Sequence, residues 1–213
     1  MKQVSLRLFF LGLALAPLAF AQKWEIGAGV GGSFYTSQSF KNAVTSGDAG
    51  LKNGVAASGW LGNNSGRLLG GELRYDYERT DLKLSSGATK VSFGANTHAL
   101  HYDFLLHLTP REAHVRPFVA AGGGIKVYQG SGSEQAFQPL SGLALLSKTS
   151  ELKGLLSVGA GVKVALGPAL QLRLEAHDYV TPFPKGVIVP AQGVRTSGWL
   201  QDFVAMAGLS FTF

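Results

Sequence analysis

Ionisable side chains in this chain recur at alternate positions, the spacing that places residues on one face of a β-strand. Glu72, Arg74, Asp76 and Glu78 make one series, His101 and Asp103 a second, and Arg173, Glu175 and His177 a third. Lys126 and Lys163 stand on two further segments made mostly of apolar residues and glycine. Three chemistries are open to such a set. Carboxylates facing guanidinium and ammonium groups form ion pairs. Two histidines and a carboxylate can ligate zinc. A serine beside His177 and a carboxylate can form a nucleophile triad.

The spacing argues against the second and third. His101 and His107 are six residues apart, which on a strand is ~20 Å, too far for one ion. No metal or other cofactor is expected. His177-Asp178 beside abundant serines is no more than chance delivers, so no catalytic residue is assigned. Ion pairing remains, because both signs are present in similar numbers and a buried charge without a partner is expensive.

These residues need strands to position them, and eight are expected: 23–35, 54–62, 67–79, 91–108, 117–128, 153–166, 169–179 and a terminal strand that ends at Phe213. In the third, Leu69, Leu73, Tyr75 and Tyr77 alternate with the acidic and basic series; in the fourth, Leu100, Tyr102, Phe104, Leu106 and Leu108 oppose His101, Asp103 and His107. The terminal strand sets Phe203, Ala205, Ala207, Leu209, Phe211 and Phe213 against Asp202, Val204, Met206, Gly208, Ser210 and Thr212. A tilted strand crosses an outer membrane in ~9–11 residues, and most of these segments are long enough.

The connections alternate in length. Those at 63–66, 109–112 and 167–168 are short and rich in Asn, Gly, Ser and Pro. Those at 36–53, 80–90, 129–152 and 180–198 are long. This order fits an all-β, eight-stranded, antiparallel up-and-down transmembrane β-barrel with short periplasmic turns and longer outside loops. One further hairpin would make the count ten. The soluble rival is a lipocalin-like barrel, in which apolar residues point inward. Gly27, Gly29, Gly31, Gly159 and Gly161 share the polar face, where small residues would make room for charged partners inside a narrow ring. Trp24, Phe34, Tyr35, Tyr128, Tyr179, Trp199 and Phe213 lie near strand ends, as an interfacial aromatic girdle would.

Lys2 and Arg7 precede an apolar run that closes on Ala19-Phe20-Ala21, so residues 1–21 read as a secretory signal peptide and 22–213 as the barrel domain. The 213-residue chain has no cysteine, which excludes disulfides and thiolate chemistry. Its formal charge of +6 falls by two when Lys2 and Arg7 are removed, too little to argue for nucleic acid. The long connections carry Lys41, Lys52, Lys83, Lys90, Lys148, Lys153, Lys185 and Arg195 against Asp48, Asp81, Glu134 and Glu151. A cationic rim of that kind attracts lipopolysaccharide phosphates. The segment 140–146 is unusually apolar for a loop and would extend the barrel, lie at the interface as a short helix, or contact a partner.

The segments Arg116-Pro-Phe-Val-Ala-Ala-Gly-Gly-Gly124, Leu172-Arg-Leu-Glu-Ala-His-Asp-Tyr179 and Ala207-Gly-Leu-Ser-Phe-Thr-Phe213 resemble small bacterial outer-membrane β-barrel proteins of the OmpA-like transmembrane-domain and OmpX type. The resemblance covers essentially the whole chain after residue 21. It implies location in the outer membrane, contact with its lipid, and insertion by the outer-membrane assembly machinery, with Gly208, Phe211 and Phe213 as the assembly signal. With Phe213 last, no periplasmic peptidoglycan-binding domain is expected to follow. The chain lacks the His-x-Ser pair of barrel lipid A deacylases. Such families host many activities on one fold, so three functions are weighed. The first is a structural or surface-interaction barrel without catalysis, its lumen plugged by ion pairs, meeting an extracellular partner through the long loops. The second is a narrow diffusion pore, and the third a lipid-modifying enzyme.

Overall fold

A computed structural model describes residues 23–41, 46–134, 137–196 and 198–213; the expected signal peptide lies outside them. The strands in chain order are β1 (Trp24–Tyr35), β2 (Ser37–Lys41), β3 (Ser46–Leu51), β4 (Gly54–Asn63), β5 (Leu69–Ser86), β6 (Thr89–His107), β7 (Val115–Gly130), β8 (Ala144–Leu146), β9 (Ser150–Ala165), β10 (Leu170–Pro182), β11 (Ile188–Pro190), β12 (Arg195–Thr196) and β13 (Trp199–Thr212). Eight of them close a ring in the order β1-β4-β5-β6-β7-β9-β10-β13, every neighbour antiparallel. The seam joins the first strand to the last, with Ile26 opposite Phe211 and Val30 opposite Ala207. A closed ring pairs the backbone groups that an open sheet would leave bare at its edges.

The pleat then assigns every residue to the inside or the outside. Outward go Ile26, Val30, Leu69, Phe104 and Val158, each more than half exposed. Inward go Arg74 and Arg173, with no exposed surface at all. An apolar exterior around a charged interior is the reverse of a lipocalin-like barrel, and the reverse of what water alone would select.

Toward the end that bears the long connections, this polarity inverts. In β5 the inward positions change from Glu72, Arg74, Asp76 and Glu78 to Leu82 and Leu84, while Asp81 and Lys83 turn outward. Across the ladder, Leu82 pairs with Phe93 and Ala95 follows on the same inner face of β6. The strands behave as though passing from an apolar surrounding into water. Their inner side chains join Phe40, Ala49, Leu51, Leu143, Ala144, Leu146, Phe183, Val187, Ile188 and Leu200 in a second, largely apolar core, with Tyr35 and Tyr128 at its base. Phe40 and Phe183 meet edge to face at 5.5 Å. The ring is thereby capped.

This cap corrects several expectations about the long connections. Residues 80–90 are not a loop. β5 and β6 continue to Ser86 and Thr89 and turn at Gly87, whose φ of 55° is a backbone state that favours glycine. Alternation persists there, with the apolar face now inward. Residues 36–53 contain the β2–β3 hairpin, which pairs onto β5 through Asp48–Leu51. β7, β9 and β10 likewise extend beyond their expected ends. The apolar segment 140–146 folds inward: Leu143, Ala144 and Leu146 are buried, and β8 pairs with β11. The aromatic girdle is smaller than expected. Trp24, Phe34, Trp199 and Phe213 are exposed, but Tyr35, Tyr128 and Tyr179 point into the lumen because they share parity with Ser33, Lys126 and His177.

Cap and charged lumen meet only at Tyr35 and Tyr128 among the residues of the cap core, so the cap should loosen first. Phe183→Ala or Leu84→Ala is expected to cost about 2–5 kcal/mol of cap packing. Limited proteolysis should then cut within 131–149 sooner, while the folded barrel still migrates ahead of the boiled form on detergent gels.

Candidate functional site

The lumen is where the sequence concentrates reactive groups, and register determines which of them meet. Arg74 lies opposite His101 on β6 and Trp60 on β4. Arg173 lies opposite Lys163 on β9 and Gly208 on β13. Glycines leave the width these side chains need. A Cβ added at Gly208 would stand 2.7 Å from the Trp60 ring, at Gly159 2.5 Å from His177, and at Gly161 2.7 Å from Phe118.

The interior holds a ladder of charge-assisted hydrogen bonds. Near the short-turn end, Lys163 Nζ donates to Glu25 Oε2 at 2.5 Å, and Trp60 Nε1 and Asn64 donate to the same carboxylate. Arg173 grips Glu72 with both terminal nitrogens, at 2.6 and 2.8 Å, and reaches Glu175 through Nε at 2.7 Å. Arg74 then bridges Glu175 at 2.6 Å and Asp76 at 3.0 Å. The two guanidinium groups flank Trp60, 4.7 and 5.4 Å from the ring centroid. Bidentate pairing and stacking suit arginine in a way lysine cannot match.

Higher up, His101 sits between two carboxylates. Its Nε2 is 3.0 Å from Asp76 and its Nδ1 3.1 Å from Asp103, while Tyr179 donates to Asp76 at 2.8 Å. A separate cluster below the cap holds Lys126 between Glu78 at 2.8 Å and Asp202 at 2.5 Å. There the Tyr35 hydroxyl bonds Glu78, and the rings of Tyr35, Tyr128 and Tyr179 each lie within 5.7 Å of the ammonium.

All eleven residues singled out from the sequence are therefore buried on the inner face; ion pairs join nine of them, with Glu25, into one network, and Lys126 and Glu78 pair in the separate cluster. His107 is buried at the short-turn end, with Nδ1 3.2 Å from the Leu68 carbonyl. Sequence reasoning did not include Glu25, Trp60 and Asp202 in the network, although parity placed Glu25 with Gly27 and Asp202 with Met206. Arg116 also lies outside the expected strand 117–128, whereas β7 begins at Val115 and carries it on the inner face. One arrangement has the order of a hydrolytic triad: Ser157 Oγ is 3.4 Å from His177 Nδ1, and His177 Nε2 is 3.3 Å from Glu175. Ser157 is buried, however, and its hydroxyl already donates to Asp103 at 3.2 Å, so it serves as a link in the ladder. Gly208 lies on the inner face under Trp60, whereas Phe211 and Phe213 project outward.

A family profile described as Outer membrane protein beta-barrel domain matches residues 6–211. Among solved structures, the chain is similar to OprG from Pseudomonas aeruginosa, with a TM-score of 0.58 at 10% identity over 90% of this chain and 96% of that one. It is also similar to neisserial surface protein A, with a TM-score of 0.52 at 11% identity over 89% of this chain and 97% of that one. At such identities the likeness is one of fold. No curated protein matches in sequence.

Because Arg173 holds Glu72 and Glu175 together, Arg173→Met should leave carboxylates facing one another without their counter-charge. The expected loss is about 3–5 kcal/mol. Adding Glu72→Leu should recover part of it. Urea midpoints of the refolded variants, followed by tryptophan fluorescence, measure both.

Proposed function

The chain belongs to the outer membrane protein β-barrel domain family and resides in the bacterial outer membrane, and on that premise we propose that it is a closed, non-catalytic barrel acting at the cell surface. The observation that carries this reading is the double seal. Fully buried ion pairs occupy the lumen, and an apolar core lies over its outer mouth. An eight-stranded ring has an interior that side chains just fill, and here the filling is charged, paired and then covered.

In this reading the short turns face the periplasm and the capped end faces outward, as outer-membrane barrels are built. The surface-interaction role then falls to the capped end. Lys41, Lys90, Lys148, Lys185 and Arg195 are exposed there, whereas Lys52 pairs with Asp81 and Lys153 with Glu151. The exposed cations suit lipopolysaccharide phosphates, or an extracellular partner that presents acidic groups. The outward apolar belt meets outer-membrane lipid. Gly208, Phe211 and Phe213 form the signal that the assembly machinery reads, and residues 1–21 are the export signal removed beforehand.

Planar-bilayer recording on the refolded protein tests the seal. The expected trace is silent at moderate voltage. Steady, ion-selective steps would replace this reading with that of a narrow diffusion pore.

A further inference from the structure

A cavity of about 190 Å³ opens at the short-turn end of the ring, between the β6–β7 and β9–β10 turns, well beyond the ~10–15 Å³ that one water requires. Its wall is cationic. Arg116, only 4% exposed, and Lys163 are cross-strand neighbours on the inner face, and Arg111 adds a third cation from the turn. Glu25 is committed to Lys163 at 2.5 Å, which leaves Glu112 as the acid among the lining residues.

Arg116 is incompletely used. One terminal nitrogen reaches the Arg67 carbonyl at 3.4 Å, and its Nε has no hydrogen-bond partner among the described residues. Two buried acceptors in the same wall also have no hydrogen-bond partner among the described residues, Asn64 Oδ1 and Gln171 Oε1. The Asn64 amide nitrogen already donates to Glu25, which fixes the open oxygen as the acceptor. A buried guanidinium whose Nε lacks an acceptor, beside buried carbonyls lacking a donor, describes the complement of one ligand. That ligand has anionic oxygens on one side and an O–H on the other.

We propose that this cavity is a periplasm-facing site for a singly protonated phosphate group. Its anionic oxygens accept from Arg116 and Arg111, and its P–OH donates to Gln171 or Asn64. Free phosphate and the monoester headgroup of an inner-leaflet lipid offer the same chemistry.

The test uses the mature protein refolded in uncharged maltoside micelles, with inorganic phosphate as the probe. Calorimetry and the Arg116 side-chain ¹⁵N resonance follow binding. Saturable binding is expected. Losing a charged hydrogen bond in Arg116→Gln should weaken it about tenfold or more. Arg111→Gln, a turn change that leaves the ring intact, should weaken it by a smaller factor. Sulfate carries no proton at neutral pH and should bind more weakly than phosphate. Nanodiscs of phosphatidylcholine with and without phosphatidic acid separate the two sources. A lipid occupant moves the Arg116 resonance before phosphate is added and blocks the phosphate heat; a free-phosphate occupant leaves both unaffected by the lipid. The site is overturned if phosphate binding does not saturate and phosphatidic acid moves nothing. It is equally overturned if folded Arg111→Gln binds phosphate as wild type does.

Discussion

The seam between β1 and β13 is the interaction on which everything else rests. Until Ile26 pairs with Phe211 and Val30 with Ala207, both strands present an open edge. In a bilayer each unpaired backbone group costs several kcal/mol, with no water to repay it. Closing the ring removes both edges at once. It also converts the period-two pleat of every strand into a division between lipid and lumen.

Once that division exists, the charged interior follows from satisfaction rather than from attraction. A buried ion pair gains little over an apolar pair of equal volume, but a buried ion without its partner is severely penalised. The lumen therefore works as a set of mutual obligations. Arg173 is engaged with Glu72 and Glu175, Arg74 with Glu175 and Asp76, and His101 with Asp76 and Asp103. Such a network resists partial opening, because freeing one side chain leaves several polar atoms buried and unpaired. The apolar cap adds a barrier of the opposite kind, made by excluding water from packed Phe, Leu and Ile side chains. At the far end, among the described residues, Arg116, Asn64 and Gln171 each keep a buried polar atom without a partner.

Much of this is legible without coordinates. Parity alone shows that Glu72, Arg74, Asp76 and Glu78 share a face, and that Phe203 through Phe213 offer a continuous apolar one. Less legible were the long connections. At 80–90 the alternation continues, but the sense of its polarity reverses as the strands leave the apolar belt, and a reversed pattern resembles a loop with scattered leucines. Leu82 and Leu84 lie inward for that reason. For Tyr35, Tyr128 and Tyr179, proximity to strand ends suggests a girdle, but their parity points inward, and parity decides.

The sequence by itself determined the eight ring strands, their faces through the apolar belt and the short turns, because these depend on local period and turn chemistry. Only the tertiary structure decided which charges are partners. Arg74 and Glu175 are 101 residues apart, as are Arg173 and Glu72, and they meet because closure brings β5 and β10 across a narrow lumen. Pairing across a ring depends on the register of every intervening strand, and no local pattern in the chain encodes that sum.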